Sequence, residues 1–60
     1  MSPLLSQRDT ACLLGLSVRT LERMRVSGTG PRFLKIGGVV RYRLEDIETW
    51  LATRLVGSAQ

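Results

Sequence analysis

A three-residue connection, Gly15–Leu16–Ser17, constrains the fold of this chain more than any other feature. Glycine adopts the left-handed backbone conformation that ends many helices, leucine can point back into a core, and serine is a good cap for a following helix. We therefore predict one helix over Gln7–Leu14 and a second from Val18 to about Val26. So short a connection forces the two helices to cross steeply.

The first helix has a start signal at Ser6, with Asp9 three residues later as a shortened capping box. Ala11 and Leu14 lie three residues apart and so share one face of the helix. Residues 1–5 are predicted to be a short lead-in that packs over the first turn.

The second helix is predicted to have two different faces. Its core face follows the spacings of three and four typical of a buried helix stripe: Val18, Leu21 and Met24 or Arg25. Its opposite face carries Arg19, Thr20 and Arg23. Because Arg19 and Arg23 lie one turn apart, they can address the same ligand surface. The alternative is that these arginines are only solvated, and that Arg25 pairs with Glu22 three residues away.

A chain break and a hairpin are predicted after the second helix. The segment Ser27–Pro31 combines two glycines with a proline, which cannot continue a helix. Two β-prone runs, Phe33–Ile36 and Val40–Arg43, flank Gly37-Gly38 and Val39, a pattern that indicates a two-stranded hairpin. A hairpin of two strands is marginal alone, so it must pack on the helices.

The last element is predicted to be an acidic helix that begins near Leu44. Its acidic residues favour a helix N-terminus: Glu45, Asp46 and Glu48. Its apolar residues share one face of the helix: Ile47, Trp50 and Leu51. Trp50 is predicted to anchor the core, since the acidic helix would repel the phosphates of any base stacked on it. Residues 55–60 are expected to fray.

The positive charge of the chain is concentrated in one part of it. Nine basic residues, eight of them arginine, face five acidic residues and give a net charge of +4. Residues 8–43 hold eight of the bases and only two of the acids, whereas residues 45–54 hold three acids and one base. Arginine suits bidentate contacts to phosphates and guanine edges, so a polyanionic partner is favoured.

Composition also excludes several classes of protein. Sixty residues with 43% hydrophobic content predict one small folded domain over residues 1–60, with a core from 4 to 54. The chain has no histidine, its carboxylates cluster on one helix, and no phosphate-binding loop with its lysine is present. We therefore expect neither enzymatic activity nor a cofactor nor a small-molecule substrate.

The cysteine count and the hydropathy pattern complete these exclusions. The single cysteine, Cys12, forms no internal disulfide and has no partner for a metal site, and we predict it to be a small, partly buried helix residue. No apolar run of 18 residues and no charged-then-apolar leader is visible, so we expect no membrane partner. A cytoplasmic location is the expectation.

Three pieces of the sequence resemble a known family. LGLSVRTLER, the GxGP break at Gly28–Pro31, and RYRLEDIETWL are similar to the small excisionase-like and AlpA-like helix-turn-helix proteins, a branch related to the MerR winged-helix domain. The resemblance covers Leu4 to Leu51. It implies an α+β, mainly α, winged helix-turn-helix fold with three helices and a two-stranded hairpin wing.

The resemblance also implies the DNA-binding residues. Positions 17–20 and 23 match the recognition helix, and positions 37–41 match the wing. The predicted DNA-binding set is Ser17, Val18, Arg19, Thr20, Arg23, Arg25, Lys35, Gly38 and Arg41. Of these, Arg19, Thr20 and Arg23 are expected at base edges in the major groove. Ser17 and Arg25 are expected near phosphates, with Arg41 in the wing.

The chain departs from the family pattern at three places. Gln7 and Thr10 occupy positions where relatives often carry apolar residues, which predicts thinner packing of the first helix. Met24 replaces a tryptophan common in close relatives. The wing tip, Gly38-Val39, lacks the basic residues of relatives, so Arg41 and Lys35 must hold the backbone or the minor groove. The alternative is that Arg41 only protects an edge strand from pairing.

Three functions are compatible with these observations. The first is an excisionase-type recombination directionality factor of a mobile element, which binds and bends double-stranded DNA cooperatively. It would self-associate on adjacent half-sites or act beside an integrase. The second is an AlpA-like transcriptional regulator of a phage, plasmid or integrative element. The third is an adaptor that binds an acidic protein rather than DNA.

Overall fold

Three helices and a three-stranded antiparallel sheet make up the fold, which a computed structural model describes for residues 3–57. In chain order the elements are β1 (Leu4–Ser6), α1 (Gln7–Leu14), α2 (Val18–Ser27), β2 (Leu34–Ile36), β3 (Val39–Arg43) and α3 (Leu44–Thr53). This is a small α+β fold, mainly α, and it confirms the predicted winged helix-turn-helix class. None of these three helices is long and apolar enough to cross a membrane.

The helix boundaries follow the predicted signals. The Asp9 backbone N–H donates to the Ser6 Oγ over 3.0 Å at the start of α1, and the Thr20 N–H donates to the Ser17 Oγ over 3.1 Å at the start of α2. Gly15 ends α1 with a φ of 70°. The short connection between the two helices therefore has the predicted left-handed glycine and serine cap, and α2 runs one residue further than expected, to Ser27.

The sheet has one strand more than the sequence predicted. Residues 4–6 are not a simple lead-in, because they form β1 and pair with β3, with Leu5 opposite Tyr42 and Ser6 opposite Arg41. The strand order is β1-β3-β2, so β3 is paired on both sides. The predicted two-stranded wing is thus part of a three-stranded sheet. The additional strand, β1, has only three residues and no local strand signal, and its partner β3 is distant in the chain.

The hairpin turn is tighter than predicted. Ile36 pairs with Val39, so the connection consists of Gly37 and Gly38 alone, whose φ values are 56° and 85°. Two successive positive φ values are what a two-residue turn of type I′ requires. Val39, which is predicted to lie in the turn, belongs to β3.

The core takes one fully buried apolar residue from each helix and one from the central strand. These residues are each exposed by 1% or less: Ala11, Leu21, Tyr42 and Ile47. Leu5, Leu14 and Val40 pack around them. Burial of Leu5 against this cluster explains why β1 forms despite its short length, since the strand contributes apolar contact as well as backbone pairing.

Three residues lie further from the core than predicted. Cys12 is exposed, because α1 turns Thr10, Ala11 and Leu14 inward and leaves Cys12 on the far side. Leu51 is 45% exposed, and Trp50 is only half-buried. Leu51 and Trp50 are therefore less buried than predicted, since Ile47 is the one residue of α3 that is fully buried in the core.

The Tyr42 hydroxyl is a polar atom inside this core. Its oxygen is buried and has no hydrogen-bond partner among residues 3–57. Burial raises the pKa of Tyr42 above its ordinary value of 10.0, and the nearby Arg25 charge partly opposes this.

We expect Tyr42→Phe to leave the free energy of unfolding unchanged or to raise it by up to about 1 kcal/mol, because the substitution removes a desolvated hydroxyl without removing a contact. Urea denaturation measures this. The raised pKa means that the folded state holds the phenolic proton more tightly, so wild-type stability is full below pH 10 and falls as the pH rises past it. The Phe variant should lack that fall. A loss of stability well beyond 1 kcal/mol at pH 7 would contradict the prediction.

Candidate nucleic-acid interface

The solvent-facing side of α2 carries two arginines and an exposed valine. Leu21 is fully buried and sets the inward direction of the helix. Arg19 and Arg23 lie on the opposite side, and Val26, which is 79% exposed, lies next to Arg19 in projection. This side of α2, defined by Arg19, Arg23 and Val26, is called the α2 face below. It is open, positively charged and partly apolar.

Val26 belongs to this face, although the predicted DNA-binding set does not include it. It follows Arg23 by three residues and Arg19 by seven, so a helical projection places it on the same side as both. A hollow in the surface is lined by the α2 face and its neighbours on the helix, Val18, Glu22 and Ser27. The spacing of three and seven residues carries this signal, although an apolar residue at the end of a helix also fits a helix boundary.

The first turn of α2 is held by its own serine cap. The Ser17 hydroxyl donates to the Thr20 Oγ1 over 2.9 Å and also accepts from the Thr20 backbone N–H. Both side chains are exposed, and no acidic residue lies in this first turn. The predicted residues Ser17, Val18 and Thr20 therefore surround a helix N-terminus whose partial positive charge is not neutralised locally.

Arg25 lies on a different side of α2 from Arg19 and Arg23. Its Nε donates to the Gln7 Oε1 over 3.2 Å, and its guanidinium carbon is 5.6 Å from the centroid of the Phe33 ring. The alternative ion pair between Arg25 and Glu22 is not formed among residues 3–57. Glu22 is instead bound by Gln7, whose Nε2 donates to the Glu22 Oε2 over 3.1 Å. Arg25 thus joins α2 to α1 and to the start of the hairpin.

The two basic residues predicted in the wing lie on opposite faces of the sheet. Lys35 is paired with Val40, on the same sheet face as Phe33, which contacts Arg25 of α2. Arg41 is next to Val40 and so points to the other face, where its Nη1 donates to the Val40 carbonyl over 2.8 Å. Gly38 lies at the tip between the two strands. A ligand along the wing therefore meets one of these charges on each side.

Arg43 differs from Arg41 because carboxylates hold it. The Arg43 Nε is 2.6 Å from the Asp46 Oδ2 and its Nη2 is 3.1 Å from the Asp46 Oδ1, while Glu45 lies 3.8 Å from Nη1. The hydrogen bond raises the pKa of Arg43 and lowers the pKa of Asp46, the attraction between the two charges adding to each shift. The acidic start of α3 thus compensates the positive charge at the end of β3.

The GxGP segment fixes the end of α2. Gly28 has a φ of 76°, and the backbone N–H groups of Thr29 and Gly30 both donate to the Met24 carbonyl, over 3.0 and 3.3 Å. A Cβ at Gly30 would lie 3.1 Å from the Met24 Cβ, tighter than nearly all real contacts. Gly28 is therefore needed for its backbone conformation and Gly30 for a close approach to the helix.

Trp50 of α3 and Arg54, which follows the helix, both bind the GxGP segment. The Trp50 Nε1 donates to the Thr29 carbonyl over 2.9 Å, and an Arg54 Nη2 donates to the same oxygen. The Arg54 guanidinium carbon lies 5.0 Å from the centroid of the Trp50 ring, within range of a cation–π interaction. Trp50 thus acts at the edge of the core, where it ties α3 to the end of α2.

A protein-family comparison agrees with this geometry. A family model described as a helix-turn-helix domain matches residues 4–55, which is nearly the whole chain. No curated protein sequence matches the chain significantly. A helix-turn-helix domain supports sequence-specific binding of double-stranded DNA, and families of this type are generally not enzymes. The chain belongs to the AlpA/excisionase-like family of helix-turn-helix domains.

Proposed function

We propose that this protein recognises a specific double-stranded DNA sequence through the α2 face and acts as an excisionase-type recombination directionality factor of a mobile element. The observation that carries the proposal is the α2 face itself. Its two arginines and its exposed valine project from the second helix of a helix-turn-helix, the helix that enters the major groove in DNA-binding domains of this architecture.

Each residue of the α2 face suits a particular base contact. Arg19 and Arg23 suit the O6 and N7 acceptors of guanine, which arginine contacts with two hydrogen bonds. Val26, together with Val18 at the first turn, suits the methyl group of thymine. Thr20 stands beside them at a base edge. The α2 face would therefore prefer sites that combine guanine with neighbouring thymine.

Contacts to the DNA backbone come from the edges of the interface. Ser17 and the N-terminus of α2 suit a phosphate, because backbone N–H groups there favour negative charge. Lys35, Gly38 and Arg41 place the hairpin against the neighbouring backbone or minor groove. Arg25 adds positive charge between these two regions. Such contacts position the domain without selecting a base sequence.

The small size of the domain supports cooperative loading. A single module of this kind buries only about 600–1,000 Å² of protein surface on DNA. We therefore propose that copies bind adjacent half-sites in the bacterial cytoplasm, and that an integrase bound beside them adds affinity. Bending of the DNA would bring the two proteins together.

DNA binding is tested by fluorescence anisotropy on duplexes selected from a random pool, across a series of salt concentrations. We expect the logarithm of affinity to fall with the logarithm of salt concentration by about 0.9 for each phosphate neutralised. An acidic protein ligand would be the better interpretation if no duplex bound even at low salt. The spacing of the selected half-sites would also report how copies assemble.

The two kinds of contact are separated by removing one arginine from each. Arg23→Ala should cost about 1–3 kcal/mol on the selected site and relax the base preference, whereas Arg41→Ala should weaken all duplexes alike. Each variant is the control for the other, since both lose one positive charge. Equal losses of Arg23→Ala on selected and unrelated duplexes would show that Arg23 contacts only phosphate.

The recombination role is tested in a cell that carries the gene on its element. Deleting the gene should abolish excision of the element, and the wild-type gene should restore excision while the Arg23→Ala variant should not. Excision that proceeds normally after deletion would exclude the directionality factor. A change in neighbouring transcripts in that case would instead indicate the AlpA-like regulator.

A further inference from the structure

We propose that Gln7 is a positioning residue for DNA recognition. Its side-chain amide sets the orientation of α2 against α1 and keeps Glu22 and Arg25 apart, so that the α2 face stays positively charged and correctly aimed. This inference rests on the proposed role of α2 in DNA recognition. It concerns a residue that does not belong to the α2 face.

The amide of Gln7 uses both of its ends. Its Oε1 accepts from the Arg25 Nε over 3.2 Å, and its Nε2 donates to the Glu22 Oε2 over 3.1 Å. The two partners lie three residues apart, so the amide spans one turn of α2. A cation on the acceptor end and an anion on the donor end make both hydrogen bonds charge-assisted. A side chain with only one kind of polar group could not make both.

The location of Gln7 lets these bonds act on more than one element. Gln7 is the first residue of α1 and follows Ser6, which is paired with Arg41 in the central strand. Through Arg25 the contacts continue to Phe33, whose ring centroid is 6.2 Å from that of the buried Tyr42. The amide therefore lies where the sheet, α1 and α2 meet, and it is half-buried there.

The bond to Glu22 protects the charge of the α2 face. Glu22 follows Arg19 by three residues, a spacing at which opposite charges on a helix pair. With its carboxylate held by Gln7, Glu22 is directed toward α1. A released carboxylate could turn to Arg19, or pair with Arg25, and either change would alter the charge presented to DNA.

The first test compares Gln7→Ala with Thr53→Ala. Both are neutral changes of a polar helix residue to alanine, and the Thr53 hydroxyl donates only to the Trp50 carbonyl of its own helix. We expect Gln7→Ala to weaken binding to the selected duplex by roughly fivefold to tenfold and to weaken binding to an unrelated duplex less, so that the specificity ratio falls. Thr53→Ala should preserve the ratio.

A charge-conserving exchange provides the rescue. Gln7→Glu alone sets two carboxylates against each other and should lower the ratio at least as much as Gln7→Ala. Combining Gln7→Glu with Glu22→Gln restores both hydrogen bonds with the amide and the carboxylate exchanged. The carboxylate at position 7 then accepts from Arg25 and also from the amide at position 22. The double variant has the net charge of the wild type, and we expect it to regain most of the specificity ratio.

Two measurements decide the outcome separately. A folded Gln7→Ala variant with the wild-type specificity ratio would overturn the inference while leaving the proposed function intact, and so would a folded double variant that regained nothing. Wild-type protein that binds no duplex would instead contradict the proposed function. Residual dipolar couplings of the free protein then still decide whether Gln7 orients α2. An unchanged angle between α1 and α2 in Gln7→Ala would overturn that role.

Discussion

Burial of Tyr42 on the central strand is the interaction on which the rest of the structure depends. The residue is fully buried, with Leu5 of β1 opposite it on one side and Phe33 beside it on the other. Ala11, Leu21 and Ile47 bring the three helices to the same cluster. A chain of this length buries too little apolar surface for separate cores, so the sheet and the helix-turn-helix must share one. The hairpin is therefore attached rigidly to the helix that presents the α2 face.

The geometry of the interface depends on how the ends of α2 are held. At its start, Ser17 caps the helix, and at its end the GxGP segment turns the chain and is tied to α3 through the Thr29 carbonyl. Gln7 adds a third attachment along the side of the helix. The proposed DNA recognition needs accurately placed hydrogen-bond donors, so these attachments support it by fixing the position of the α2 face.

Four arginines of the chain fall into two groups that composition alone does not distinguish. Arg43 is held by Asp46 and Glu45, and Arg25 is held by Gln7 and the Phe33 ring. Arg19 and Arg23 remain on an exposed helix face. The net charge predicts a polyanionic partner, but only the contacts show which charges are turned outward toward one. The acidic residues of α3 thus compensate the charge near the sheet and leave the α2 face positive.

The sequence by itself determined the features that depend on neighbouring residues. The glycine and serine between the first two helices, the Gly37-Gly38 turn and the two-sided pattern of α2 were all visible, because caps, turns and helical spacing are local. The tertiary structure alone decided the pairing of β1 with β3, the exposure of Cys12 and the place of Trp50 at the edge of the core. It also decided that Arg25 meets Gln7 instead of Glu22. These features depend on strand partners and side-chain contacts between residues distant in the chain, and no local pattern encodes either.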